Sequence, residues 1–198
     1  VLTMIGSLLY IVGPPGVGKS TATRELTARW DKEVHRTVPV PHVRMLHPVT
    51  GRMAGVELGV PRETFSGTDA LAMDISPRAI TWLGTLSVPF ALGEGSRLAT
   101  RPFLGHLAQG GAAVTLVRLT ADEELLTQRW KERGAKQNPS WRKGAGTRAD
   151  RIADWFLTQT SEHRPGFRMY LDLDVTEMTP ADIADRIREA FPLVGLGD

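Results

Sequence analysis

The sequence predicts an α/β fold in three layers, a parallel sheet covered by helices on both faces. Three observations carry that prediction. Short apolar runs of strand length alternate with amphipathic stretches of about a dozen residues, the pattern of strand–helix–strand units. A glycine-rich turn joins the first run directly to the first such stretch. No internal repeat, low-complexity tract or linker divides the 198 residues, a length that suits one domain with a sizeable core.

The elements follow in order. "SLLYIV", Ser7–Val12, is an apolar run that reads as a buried strand. It is too short for a membrane span and runs into the glycine turn, so a signal peptide is not expected. Met4 is expected to be the natural start, with Val1–Thr3 upstream of it. Gly18–Trp30 reads as a helix, with Leu26 and Trp30 four apart on one face. "PFALGEG" holds a second buried strand ending near Gly93. Arg97–Gln109 is helical and stops at Gly110 and Gly111. Ala112–Leu119 is apolar and β-branched, hence a strand. The next helix opens on a Thr120 cap, carries acids in its first turn and ends at Gly134. Arg168–Asp174 is a strand, and the last helix has a Thr179 cap with Pro180 at its first position. Two stretches read as irregular, Pro39–Thr68 and Ala135–Thr147. In a compact domain such stretches serve as lids or binding loops.

Composition excludes several chemistries. There is no cysteine, which removes disulfides, thiol nucleophiles and cysteine-held zinc and fits a reducing cytoplasm. The five histidines show no HExxH or HxH spacing, so no zinc site is expected. The net charge of +2 says little about partners. Its distribution says more. Arg129, Lys131, Arg133, Lys136, Arg142, Lys143, Arg148 and Arg151 face only Glu132 and Asp150 as opposing charges in that segment. Such a cluster suits a triphosphate or a nucleic-acid backbone.

"GPPGVGKST" supplies Gly13, Pro14, Pro15, Gly16, Val17, Gly18, Lys19, Ser20 and Thr21. It matches G-x-x-x-x-G-K-[ST] between a strand and a helix, the context a phosphate-binding loop requires. The glycines let backbone N–H groups turn inward onto phosphate oxygens, and the helix start adds partial positive charge. Lys19 is expected on the β- and γ-phosphates and Ser20 on Mg²⁺.

The loop alone does not distinguish a switch, a motor and a phosphoryl donor. A guanine switch needs N-K-x-D, yet the only asparagine is Asn138, followed by Pro139. A motor needs an apolar strand ending in paired acids. The nearest candidates, Asp172 and Asp174, come late in the chain and read as exposed strand-end residues. A donor needs closure over both substrates, because water otherwise takes the phosphoryl group. Arg129 and Arg133, four apart on one helix face, can point at the opening. Arg142, Lys143 and Arg148 follow on the irregular stretch, with Gly134, Gly144 and Gly146 as hinges, so a lid is placed at about 129–148. A solvated basic face is the plainer alternative.

Glu94 ends an apolar strand, where parallel sheets place ligands. It can hold Mg²⁺ through water or accept a proton, and Arg97 can pair with it or with the acceptor. Balancing a helix dipole is the alternative for Glu94. Asp69 either caps a following helix or serves as general base towards an acceptor hydroxyl, a role worth roughly 10²–10⁴-fold in rate. Asp74 is the weaker candidate for that role.

These parts resemble the P-loop nucleoside and nucleotide kinases. "FSGTDALAMDISPRAITWL", "EGSRLA" and "RWKERGAKQNPSWRKGAGTR" resemble the small phage-type P-loop kinases, a group that includes enzymes similar to the 5-hydroxymethyluracil DNA kinases. The likeness spans Met4 to about Leu157. It implies an adenylate-kinase-like core of five parallel strands, with ATP and Mg²⁺, and the cytoplasm of a host cell if the chain is phage-encoded. It further implies Lys19 and Ser20 on the donor phosphates, Asp69 near the acceptor hydroxyl, and Glu94 and Arg97 at the centre. Arg129, Arg133, Arg142, Lys143 and Arg148 would form the lid. "KGAGTR" departs from the more basic pattern of the group, with Ala145 where another cation is expected.

The acceptor segment is placed at about 39–75. A base in duplex DNA must be extruded before it can react, which calls for a basic track and stacking surfaces. Trp141 beside Arg142 and Lys143 suits one wall; His42, Arg44, His47, Arg52 and Arg62 suit the other. A free nucleoside or nucleotide acceptor, and a regulatory module that binds nucleotide and transfers nothing, remain open on the sequence.

Overall fold

Ile5–Val12 (β1) is apolar along most of its length because helices cover both its faces. The computed structural model describes residues 5–61, 67–132 and 139–191, apart from the side chains of Pro139 and Trp141. β1 lies between Val88–Glu94 (β5) and Ala113–Thr120 (β6), parallel to both. Met53–Leu58 (β4) pairs parallel with β5, and Phe167–Asp174 (β7) with β6. Beyond β4 the sheet continues antiparallel through His42–Leu46 (β3) to Asp31–His35 (β2).

The sheet is therefore seven-stranded and mixed, in the order β2-β3-β4-β5-β1-β6-β7, and not the five-stranded parallel sheet expected. The expectation failed at Pro39–Thr68, which holds β3 and β4. The prolines there sit outside the paired strands: Pro41 precedes β3, Pro48 lies in the turn after it, and Pro61 follows β4. Proline without a donor is tolerated at such margins.

One face of the sheet is covered by Ser76–Leu83 (α2), Arg101–Gln109 (α3) and Pro139–Ser161 (α5). The other is covered by Lys19–Leu26 (α1), Glu123–Glu132 (α4) and Pro180–Ala190 (α6). Several boundaries differ from expectation. α1 stops at Leu26, and Trp30 packs separately on Met45 and Phe90. α3 begins at Arg101, where the Thr100 hydroxyl accepts from the Phe103 N–H. Thr120 closes β6 and caps no helix. Thr179 does cap α6, in a reciprocal pair with Asp182.

The largest revision concerns the lid. From Pro139 onward the expected irregular stretch is the start of a 23-residue helix. Ala145, Ala149, Ile152, Ala153 and Phe156 recur at helical spacing and are buried. That burial outweighs the roughly 1 kcal/mol that each interior glycine costs relative to alanine. Gly144 and Gly146 are thus helical residues; Gly134 lies outside the described residues. No helix among the described residues is long and apolar enough to cross a membrane.

Candidate active site

The end of β1 runs straight into the glycine loop. Gly13, Gly16 and Gly18 adopt φ of 150°, 91° and 106°, which side chains disfavour. A Cβ on Gly13 would also lie 2.4 Å from the Leu119 carbonyl oxygen. α1 starts at Lys19 with no side-chain cap on its first turn, leaving backbone N–H groups for an anion. Lys19 Nζ donates to the carbonyls of Gly13 at 2.9 Å and Pro14 at 3.0 Å.

Ser20 Oγ donates to Glu94 Oε1 at 2.8 Å. Glu94 is 2% exposed at the end of β5, on the sheet face that α1 covers. A hydroxyl and a carboxylate brought together beside a phosphate loop form a hard-oxygen pair that fits Mg²⁺.

Asp69 does not cap α2, whose N-cap is Ile75. It sits in a single 3-10 turn, Gly67–Ala70, and its carboxylate faces the loop after β5. Oδ1 accepts from Ser96 N at 2.8 Å, Ser96 Oγ at 2.8 Å and Arg97 N at 3.2 Å. Asp74 faces Arg78 at 3.8 Å on the surface. The Arg97 guanidinium contacts the Met73 sulfur.

Of the lid cations, Arg129 turns towards the phosphate loop, with Nη1 3.5 Å from the Gly16 and Val17 carbonyls. Arg142 turns to α4: it pairs with Glu123, donates to Thr127 Oγ1 at 2.9 Å and lies over the Trp130 ring. Lys143 is exposed. Arg133, Arg62 and the Trp141 side chain lie outside the described residues. His47 and Arg52 lie in the turn between β3 and β4. Because β3 runs antiparallel to β4, that turn is at the end of the sheet opposite the phosphate loop. His42 is buried, stacked on His35 and tilted against Trp82. These three therefore form no wall beside the loop. Arg44 is exposed at the middle of β3.

A cavity of about 350 Å³ opens between the phosphate loop, the loop after β5 and α5. Lys19, Asp69, Ser96, Arg101, Arg148 and Arg151 are among its lining residues. The three arginines have no carboxylate partner among the described residues. Unpaired guanidinium forks around a small cavity suit a phosphate-bearing guest.

The family model described as P-loop Nucleotide Kinase3 matches residues 4–170, which take in the phosphate loop, both carboxylates and all of α5. The chain belongs to this P-loop nucleotide kinase family. A comparison with curated proteins finds no significant match. Membership makes the protein a nucleotide-binding kinase of phosphotransferase type.

Sequence reasoning passed over several residues of this kinase's cavity. Arg101 follows the Thr100 cap, and Arg151, counted in the basic cluster but not in the lid, lies one turn beyond the expected lid. Only the unbroken helix turns Arg148 and Arg151 to the same side. Ser96 matters through a contact with Asp69, 27 residues away in the chain.

Glu57 also escaped notice. It lies on β4 beside Leu92, so it shares the α1 face of the sheet with Glu94. Burial pushes its carboxyl up to about 7, opposed by the Lys32 charge and reinforced by Glu94. The folded kinase thus keeps a proton that the unfolded chain releases near pH 4.5. Stability should fall as pH rises through that window and level off above it, with an upper bound of about 3 kcal/mol. Glu57→Gln should be more stable than the parent at pH 8, by about 1–3 kcal/mol, and gain nothing at pH 4.5. Urea midpoints at the two pH values check this; equal gains at both would mean that Glu57 is not the titrating group.

Proposed function

We propose that the protein transfers the γ-phosphate of ATP to a hydroxyl of a nucleotide-type acceptor seated in the 350 Å³ cavity. The acceptor class is read as the hydroxymethyl group of 5-hydroxymethyluracil in DNA, with the protein acting in the cytoplasm. One observation carries the transfer reading: the cavity joins Lys19 and Asp69 to three arginines with no carboxylate partner among the described residues. The DNA-linked acceptor rests on the sequence resemblance, and the arginines suit a phosphodiester as well as a free phosphate.

In this reading the loop amides and Lys19 hold the β- and γ-phosphates, and Arg129 approaches from α4. Ser20 and Glu94 would hold Mg²⁺, which supplies charge neutralisation between the phosphates when bound. Among the described residues no three metal-ligating side chains gather. Such an ion would therefore be held with phosphate oxygens and water as well, as Mg²⁺ ordinarily is. Asp69 accepts the proton of the acceptor hydroxyl. The hydroxyl oxygen forms the new bond to the γ-phosphorus as the bond to the bridging oxygen breaks, and ADP leaves with the electron pair.

The test is γ-labelled ATP offered with hydroxymethylated DNA, free pyrimidine nucleotides and free nucleosides. Label is expected in the DNA. Label confined to free nucleotides or nucleosides would replace the DNA-linked acceptor with a small one. Tight ATP binding with no label in any acceptor would make the protein a regulatory module and overturn the transfer reading.

A further inference from the structure

Two short segments meet at the carboxyl ends of β1 and β5, and they interlock. Gly67, with φ of 60°, lies against the Glu94 side chain; a Cβ there would be 2.4 Å from Glu94 Oε1. Gly95, with φ of 109°, lies against the Asp69 side chain; a Cβ there would be 2.7 Å from Asp69 Oδ2. Each carboxylate therefore rests on a glycine that flanks the other.

Between the two contacts sits Thr68, fully buried. Its hydroxyl donates to the Glu94 carbonyl oxygen at 2.9 Å. It is also 2.8 Å from the hydroxyl of Tyr10, which is fully buried on β1. A carbonyl only accepts and a threonine hydroxyl has one proton, so Tyr10 must be the donor in the second bond. Burial raises the Tyr10 hydroxyl well above its usual range, which keeps its proton in place. The donors thus run in one direction, from Tyr10 through Thr68 to the Glu94 carbonyl. Gly93 makes room for it, since a Cβ there would be 2.6 Å from the Tyr10 ring.

We infer that Thr68 and Tyr10 are positioning residues that fix the acceptor-side carboxylate Asp69 and the metal-side carboxylate Glu94 relative to each other. The inference rests on the roles proposed above for those two carboxylates. Valine at 68 would leave the Tyr10 hydroxyl and the Glu94 carbonyl without their partner, so stability falls whatever the role; a threonine with only a structural role would leave kcat and the Mg²⁺ requirement unchanged in the folded variant.

Thr68→Val, Thr68→Ser and Tyr10→Phe are compared with the parent, well below each melting temperature. Two quantities are read: turnover with the labelled acceptor, and the Mg²⁺ concentration that half-saturates ATP binding. Thr68→Val is expected to lower kcat on the order of 10- to 100-fold, the scale of a misplacement near 1 Å, with KM for ATP changing far less. It should also raise the Mg²⁺ requirement several-fold. Thr68→Ser, which keeps the hydroxyl, should recover most of both, and Tyr10→Phe should fall between. A folded Thr68→Val with parental kcat and Mg²⁺ requirement overturns the inference, as does a serine variant no better than valine. If valine at 68 prevents folding, the same readings on Tyr10→Phe decide. If the parent transfers label to nothing, the transfer reading fails, and the Mg²⁺ requirement alone still decides whether Thr68 positions Glu94.

Discussion

Lys19→Ala is expected to abolish phosphoryl transfer while the protein stays folded. Lys19 Nζ is held by two carbonyls of its own loop and lines the cavity that also contains Asp69. In the proposed reading, an ammonium there would neutralise charge that builds on the γ-phosphoryl group. Loss of one such donor costs roughly 10²–10³-fold in turnover, and more where the group also orients the donor phosphates. The fold depends on it little. The loop's shape comes from the φ values of Gly13, Gly16 and Gly18 and from apolar packing of Val17. Two hydrogen bonds from a part-buried lysine contribute on the order of 1 kcal/mol each. The melting temperature should therefore move by a few degrees while kcat falls below detection. Lys19→Arg is not a conservative control, because a planar fork cannot replace a point charge between two carbonyls. Single-turnover transfer measured beside a melting curve checks both halves. Retained transfer with Lys19→Ala would place the donor phosphates elsewhere.

The parts that were legible in the sequence share a physical property: their signal is contiguous. The phosphate loop is one run of nine residues, Gly13–Thr21. β1, β5 and β6 are buried on both faces and so read as unbroken apolar runs. β2 has no such signal. It is the outer strand, exposed at four of its five positions, and "DKEVH" is charged as an edge should be. α5 was hidden for a different reason. Its buried stripe includes three alanines, and its first turns carry two glycines and a proline, so composition spoke for a loop. The site divides along the same line. Glu94 was visible because it ends a buried strand. Tyr10, Ser96 and Thr68 act through contacts made across 26 to 58 residues of chain, and no local pattern encodes those.

Asp69 is the residue for which geometry and chemistry can be separated by substitution. Oδ1 holds the loop after β5 by accepting from Ser96 N, Ser96 Oγ and Arg97 N. Asparagine keeps a carbonyl oxygen that can accept all three and removes only charge and basicity. Alanine removes both. If Asp69 takes the acceptor proton, Asp69→Asn should lower kcat by roughly 10²–10⁴-fold, with ATP affinity and melting temperature close to the parent's. Asp69→Ala should show the same catalytic loss and, in addition, lower stability, because an exposed and a part-buried backbone N–H lose their acceptor at about 0.5–1.5 kcal/mol each. If Asp69 only braces the loop, the order changes: Asp69→Asn should turn over like the parent, and only Asp69→Ala should be impaired. The two substitutions therefore give opposite rankings under the two roles. Rapid-quench measurement of the transfer step, with melting curves on the same samples, distinguishes them. An asparagine variant with undiminished transfer would remove Asp69 from the chemistry and leave the proton to another acceptor.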